Sequence, residues 1–389
     1  MTCTGWSRPE ERHQIFSYYY QHDVIDVNGI ASTSKGHIGA VSTQEEYLKY
    51  RWKKILFLVS SSILLLLISI YTIRLGATGL GYGDILSYLF FPDNSWNSTV
   101  IWSLRLPRIA GAILAGCALG LAGAVMQSIL RNPLASPFTL GISNAAAFGA
   151  SLGILYLNGG LMIGSVASYA QVNEPIIVTL SAFTFAIIAT LFIVAMVKFT
   201  DSRPETIVLA GLAISSIFGA CLAFMQYIAD DISISAIVYW QFGSLSKVTW
   251  DDLIIMFILL LIASAYYFLK RWDYNAMEAG EDVARGLGVN ISRTRTVGLV
   301  MSALLTATVV SMLGVIGFIG LVGPHIVKRI IGNDNRFALP GSMIMGAIVL
   351  LLAYVVGSYA FEIVIPVGII TSAIGGPLFL LILLRGYKR

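Results

Sequence analysis

Ten apolar runs separated by polar connectors fill the chain from Ile55 to Leu384, at 55–73, 107–129, 138–157, 175–197, 206–228, 251–269, 296–313, 316–331, 339–359 and 367–384. Most approach the length of about 20 residues that a helix needs to cross a hydrocarbon core of about 30 Å. Only helices and closed barrels satisfy their backbone in lipid. These runs are continuous rather than alternating, so they are not barrel strands. The pattern predicts an all-α, polytopic membrane protein with about ten transmembrane helices.

Two stretches break the pattern. Residues 1–48 hold His13, His22, His37 and the cluster Tyr18-Tyr19-Tyr20, with no apolar run that could span or act as a signal segment. They read as a poorly packed N-terminal extension to a membrane domain at 49–389, and the scattered histidines do not form a metal site. The second break, 270–295, reads KRWDYNAMEAGEDVARGLGVNISRTR. Within it, Met277–Val289 has the composition of a short helix. Glu278, Glu281 and Asp282 come early, Arg285 late, and Gly286 and Gly288 end it, an order that suits the helix dipole. Ala279, Val283 and Leu287 fall four apart and would share one face. Such an element between two halves of a membrane protein is either a handle for a soluble partner or a solvated loop with an incidental turn.

Composition removes one class outright. The chain is 57% hydrophobic and 12% charged with a mean hydropathy of +0.79, whereas a soluble domain is about 25% charged. The charges also sort by connector. With the N-terminus inside, eighteen Lys and Arg fall on the inner side and four, Arg74, Arg105, Arg108 and Lys247, on the outer. That imbalance predicts a multi-pass protein of the plasma membrane with both termini and 270–295 in the cytosol. Of the three cysteines, Cys117 and Cys221 lie in predicted spans as small packing residues, and no metal-binding or disulfide pattern is present.

Small residues within the spans are organised. Gly116 and Gly120 form a GxxxG pair near Gly111, Ala115 and Gly123, and Gly314, Gly317, Gly320 and Gly323 recur every third residue. Close backbone approach through such faces is how helices pack in lipid; a pore-lining role for 107–129 is the other reading. Gly314 and Gly317 imply a tight turn between adjoining spans. Ionisable groups deep in the spans are almost absent, which argues against an ion-coupled carrier. No HExxH, G-x-S-x-G or GxxxxGK[ST] occurs, so energy for uphill movement would have to come from a partner. On the outer side, Arg105 and Arg108 bracket Pro107 where arginine should be rare; they read either as interfacial anchors or as docking points for carboxylates.

Several stretches together resemble the permease family of type II ABC importers, which carries iron–siderophore complexes, haem and vitamin B12. They are Leu104–Arg108 (LRLPR), Gly123–Gln127 (GAVMQ), Arg131-Asn132-Pro133-Leu134-Ala135, Leu140–Asn144 (LGISN), Leu209-Ala210-Gly211 and Trp240–Ser246 (WQFGSLS). The second half adds Ala284–Val289 (ARGLGV), Gly317–His325 (GFIGLVGPH) and Pro366–Pro377 (PVGIITSAIGGP). The resemblance covers about 55–389 in the family's order. It implies a ten-helix permease, paired with a second permease subunit as a homodimer or pseudo-dimer whose pathway lies at their interface. It also implies two cytosolic ATP-binding subunits and an extracytoplasmic substrate-binding protein. No cofactor is expected on this chain; ATP and magnesium are used by the partner ATPase. Glu278, Glu281, Asp282, Arg285, Gly286 and Gly288 fall in the segment similar to the family's coupling helices. Arg105 and Arg108 match its docking arginines, and 107–129 and 206–228 its passage-lining helices. Gly116, Gly120, Gln127, Asn132, Pro133 and Gly211 are the corresponding pathway or packing positions.

The chain also departs from the family. Tyr354 and Ser358 stand where members often carry an Asp and an Arg, and Glu362 is displaced from the usual E-L-P-V-G run. Both changes touch docking more than coupling. The expected function is the transmembrane subunit of an ATP-driven importer for a metal chelate, working by alternating access. An iron–siderophore complex leads as cargo, with cobalamin and haem as alternatives. An ion-coupled secondary transporter and an intramembrane enzyme are the competing classes.

Overall fold

The computed structural model describes residues 40–76, 79–157, 161–163, 170–172, 175–199 and 204–386, so the tail histidines lie outside the described residues. The chain divides after Tyr50 into two units, the first described only from Ala40 as helix.

The helices are α1 (Ala40–Arg74), α2 (Tyr82–Phe90), α3 (Trp96–Thr99), α4 (Leu106–Leu130), α5 (Ile142–Tyr156), α6 (Pro175–Phe199), α7 (Pro204–Ile228) and α8 (Asp231–Gln241). They continue as α9 (Trp250–Leu269), α10 (Arg271–Ala279), α11 (Glu281–Gly286), α12 (Ile291–Leu313), α13 (Ile319–Ile331), α14 (Asn335–Tyr359) and α15 (Val367–Gly386). A π-helical turn, Val100–Arg105, runs into α4, and a short antiparallel ribbon pairs β1 (Leu161–Ile163) with β2 (Ala170–Val172). Each of the ten apolar runs overlaps a helix, the run at 138–157 opening on a 3-10 turn before α5 and that at 316–331 starting outside α13. Seven helices among the described residues are long and apolar enough to cross a membrane; α5, α13 and α15 are the shorter ones.

The connectors hold structure that the apolar pattern does not show. At the start of α2 the Gly81 N–H donates to the Asp84 carboxylate, and α8 opens on Asp230, whose carboxylate accepts from the Ser233 N–H. Such caps satisfy helix-end amides that would otherwise be orphaned. Trp102 and Trp250 lie 6.1 Å apart, and the Trp250 indole donates to the Trp102 carbonyl at 2.9 Å.

Helix α4 is the axis of the bundle. Its span is 78% buried, against 22% for α7 and 11% for α1, and no residue from Leu106 to Leu130 is exposed. Glycine explains how its neighbours come so close. A Cβ on Gly116 would lie 2.6 Å from the Gly346 carbonyl oxygen of α14, one on Gly120 2.2 Å from that of Ser342, and one on Gly123 1.8 Å from that of Gly320 in α13. The GxxxG pair is therefore a packing face. From Ala118 to Leu130 the helix is buried on all sides, while Leu106, Ala110, Ile113, Leu114 and Cys117 form one half-buried stripe along its first half.

Between α12 and α13 the chain does not make a tight turn. Gly314 (φ +80°) ends α12, and residues 314–317 run outside any helix until Phe318, itself left-handed at φ +66°, opens α13. Two other glycine-bearing segments press on this stretch. The Ser244 N–H donates to the Leu313 carbonyl at 2.7 Å, and a Cβ on Gly368 would sit 2.4 Å from the Val315 carbonyl oxygen. Segments 240–246, 314–317 and 366–368 thus converge at one end.

Candidate functional site: a clamped two-helix tip

The expected single helix over Met277–Val289 is broken. Helix α10 ends at Ala279, Gly280 takes φ +136° and ψ 151°, and α11 starts afresh at Glu281. A side chain at that backbone position would be strained, so glycine is what permits the corner. The break resets the helical phase and dissolves the expected shared face: Ala279 and Leu287 are exposed, Val283 is half-buried, and Ala284 is the buried residue of α11.

The expected coupling residues divide by direction. Glu278 and Glu281 point into the bundle. Glu278 Oε1 accepts from Lys328 Nζ of α13 at 2.7 Å and from Ser128 Oγ of α4 at 2.5 Å. Glu281 Oε1 accepts from Arg295 Nη2 at 2.7 Å, while Arg295 Nε donates to the Ile129 carbonyl at 3.0 Å. Arg295 is only 1% exposed, and a buried charge is tolerable only when paired and hydrogen-bonded. The hydrogen bond from Arg295 and the charges of Arg295, Arg285 and Arg131 outweigh partial burial and hold the Glu281 carboxyl below its ordinary pKa.

A third clamp holds the start of the segment. Asn275 Nδ2 donates to Asp334 Oδ1 at 3.2 Å, and Asn275 Oδ1 accepts from the Asn335 N–H at 2.7 Å. Asp334 also accepts from Arg336 and lies 3.8 Å from Lys54 of α1. Burial alone would raise the Asp334 carboxyl; the Arg336 and Asn275 hydrogen bonds reverse that and lower it.

Asp282, Arg285, Gly286, Leu287 and Gly288 face away from the bundle. Leu287 is 58% exposed, and no atom stands within 4 Å of where a Cβ would be on Gly286 or Gly288. Arg285 is 3.5 Å from Glu281 and 3.7 Å from Asp282; such exposed pairs contribute little. The tip therefore offers an apolar residue between charges of both signs, on a base fixed by polar clamps.

At the opposite end the two arginines separate. Arg105 is buried, its Nη1 donating to the Ile73 carbonyl of α1 at 2.7 Å with the guanidinium against Gly76. Its position is that of a cap on the last turn of α1, not of an outward docking point. Arg108 is half-buried beside a small pocket lined also by Ser244, Ser246, Tyr354, Ser358 and Pro366. Tyr354 and Ser358, the two departures from the family pattern, thus share a pocket with Arg108.

The remaining expected positions are structural in their surroundings. Gln127 is buried in α4, Asn132 Oδ1 accepts from the Leu134 N–H at 2.9 Å, and Pro133 lines a small pocket with Leu321, His325 and Phe379. Gly211 lets α7 approach the turn before α5, where a Cβ would lie 2.8 Å from the Leu140 Cα. Gly116 and Gly120 lie in the α4–α14 contact. Sequence reasoning missed Ser128, Asn275, Arg295, Lys328 and Asp334 as members of the clamps; the basic ones carried a signal only as inner-side charge.

Residues 63–385 match the FecCD transport family. A protein of Methanocaldococcus jannaschii named as an ABC transporter permease is 44% identical, over 89% of this chain and 99% of its own length. The hemin transport system permease of Yersinia pestis is 34% identical, over 83% of this chain and 93% of its own. Among solved structures, one described as an inward-facing metal-chelate type ABC transporter superposes with a TM-score of 0.72 at 28% identity. It covers 84% of this chain and 98% of the other.

Proposed function

Because this chain belongs to the FecCD transport family, we propose that it moves a metal chelate, foremost an iron–siderophore complex, inward across the plasma membrane. The chain is a permease subunit of a type II ABC importer, a transport subunit and not itself an enzyme. Its energy comes from two cytosolic ATP-binding subunits that use ATP and magnesium, and its cargo from an extracytoplasmic binding protein. Both termini and the α10–α11 tip face the cytosol in this reading, which the excess of basic residues in the inner connectors supports.

The observation that carries this reading is the exposed Asp282–Gly288 tip on a clamped base, which suits a surface that a soluble motor grips and pulls. Alternating access follows: ATP favours one arrangement of the spans, and moving a population from 1:99 to 99:1 takes about 5.5 kcal/mol of differential binding. The cargo pathway lies between two permease subunits. Two small pockets among the described residues have volumes of about 10 and 30 Å³, enough for water and not for a chelate. Helix α7, with Leu209, Leu212, Ile217 and Phe224 exposed, supplies a face for the second copy. Arg108, beside its pocket, is the contact for an acidic group of the binding protein.

The test is co-purification of the two ATPase subunits with wild-type chain and with Leu287→Glu and Arg285→Glu variants. Loss of the ATPase with membrane insertion intact supports the seat; full retention in both removes it. Uptake in proteoliposomes that follows an ion gradient and ignores ATP would establish the secondary-transport alternative. Haem is the second cargo, supported by the hemin permease relative, and cobalamin the third; ligand analysis of the cognate binding protein decides among the three.

A further inference from the structure

We infer that motion of the tip enters the bundle at the last turn of α4, through two ion pairs that flank Gly280, with Lys328 and Arg295 as positioning residues. This rests on reading Asp282–Gly288 as the ATPase seat, and its test separates the two ideas.

The two pairs converge on consecutive residues. Glu278, on the α10 side of the break, meets Lys328 and with it Ser128; Glu281, on the α11 side, meets Arg295 and with it the Ile129 carbonyl. One residue of unusual backbone conformation separates the helices, so each half of the tip has its own tie to α4. Neither Lys328 nor Arg295 is exposed, so neither can belong to the seat itself. Both pairs are short and shielded, and shielded pairs are weakly screened by salt.

The receiving end is suited to spreading a displacement. Helix α4 is in backbone contact with α13 and α14 through glycines, and packed elements with so little slack shift as units instead of deforming locally. Lys328 lies on α13, and Asn335, 3.3 Å from Ser128 Oγ, opens α14. A push on Glu278 therefore reaches three helices through one polar cluster.

The experiment uses the complete importer, permease with ATPase subunits in lipid nanodiscs. It compares hydrogen–deuterium exchange over 125–132 with and without a non-hydrolysable ATP analogue. Wild type is expected to show an ATP-linked change there. Lys328→Met should keep its ATPase subunits yet lose that change by about tenfold, within the span of ordinary coupling free energies. The swap of Glu278→Lys with Lys328→Glu should restore it. The inference is overturned by an absent wild-type response, by a Lys328→Met response equal to wild type, or by a swap that assembles without restoring the response. Loss of the ATPase from Lys328→Met would show that the pair only shapes the seat, and failure of both variants to insert would make it a folding element; either result also overturns the inference. Failure of the seat reading appears elsewhere, as ATPase fully retained by both Leu287→Glu and Arg285→Glu.

Discussion

Gly116 and Gly346 press their backbones together across the α4–α14 contact: a Cβ on Gly346 would lie 2.2 Å from the Gly116 carbonyl oxygen, and one on Gly116 2.6 Å from that of Gly346. The opposing atoms are backbone and cannot rotate away. Gly116→Leu or Gly346→Leu should therefore force the helices apart at about 1–3 kcal/mol or more, seen as a lower Tm of the purified protein. Gly219→Ala is the control, since its Cβ would meet nothing nearer than Asn144 Nδ2 at 3.7 Å, and its Tm should stay close to wild type.

Arg105 and Arg108, three residues apart, should fail differently. Arg105→Ala removes a charged donor from the Ile73 carbonyl and should cost about 1.5–3 kcal/mol of stability. Arg108→Ala should leave Tm unchanged and weaken association with the binding protein, measured by titration of that protein against permease in nanodiscs. Equal Tm losses in both variants would contradict the division of roles.

Acid should loosen the tip. The folded Glu281 carboxyl sits below its unfolded value, because Arg295 hydrogen-bonds to it, so its contribution is fully present above the unfolded pKa of about 4.3. It is lost as pH falls through the still lower folded value. Exchange protection over 281–289 should hold from neutral pH down to about that value and collapse below it. Glu281→Gln should show weaker protection at neutral pH and no such acid step.

Gly280→Ala should act on the corner alone. The nearest atom to an added Cβ is Val283 Cγ2 at 3.8 Å, so the cost is backbone strain of about 1–3 kcal/mol without a clash. The expected result is a tip that exchanges faster and holds the ATPase subunits less well, with the Tm of the bundle preserved.

The membrane architecture was legible because lipid leaves few solutions: a run of about 20 apolar residues has to be a helix, and each of the ten runs overlaps one. Direction within the site was not. Glu278, Glu281, Asp282 and Arg285 have the spacing of one helix, and nothing in that spacing says that Gly280 turns the first two inward and leaves the others exposed. Lys328 and Arg295 read as inner-side charge because their partners, Glu278 and Ile129, are reached only through the fold. Arg105 and Arg108 looked like a pair because they bracket a proline, while the carbonyl that claims Arg105 belongs to Ile73, in the preceding span.

The buried axis has a consequence for how such a protein can change. A subunit whose central helix meets two others backbone to backbone has little slack at its centre. Substitutions at the axis then register as stiffness or collapse, whereas substitutions on the exposed side of α7 can accumulate without disturbing Gly116, Gly120 or Gly123. The periphery can drift while the frame stays fixed.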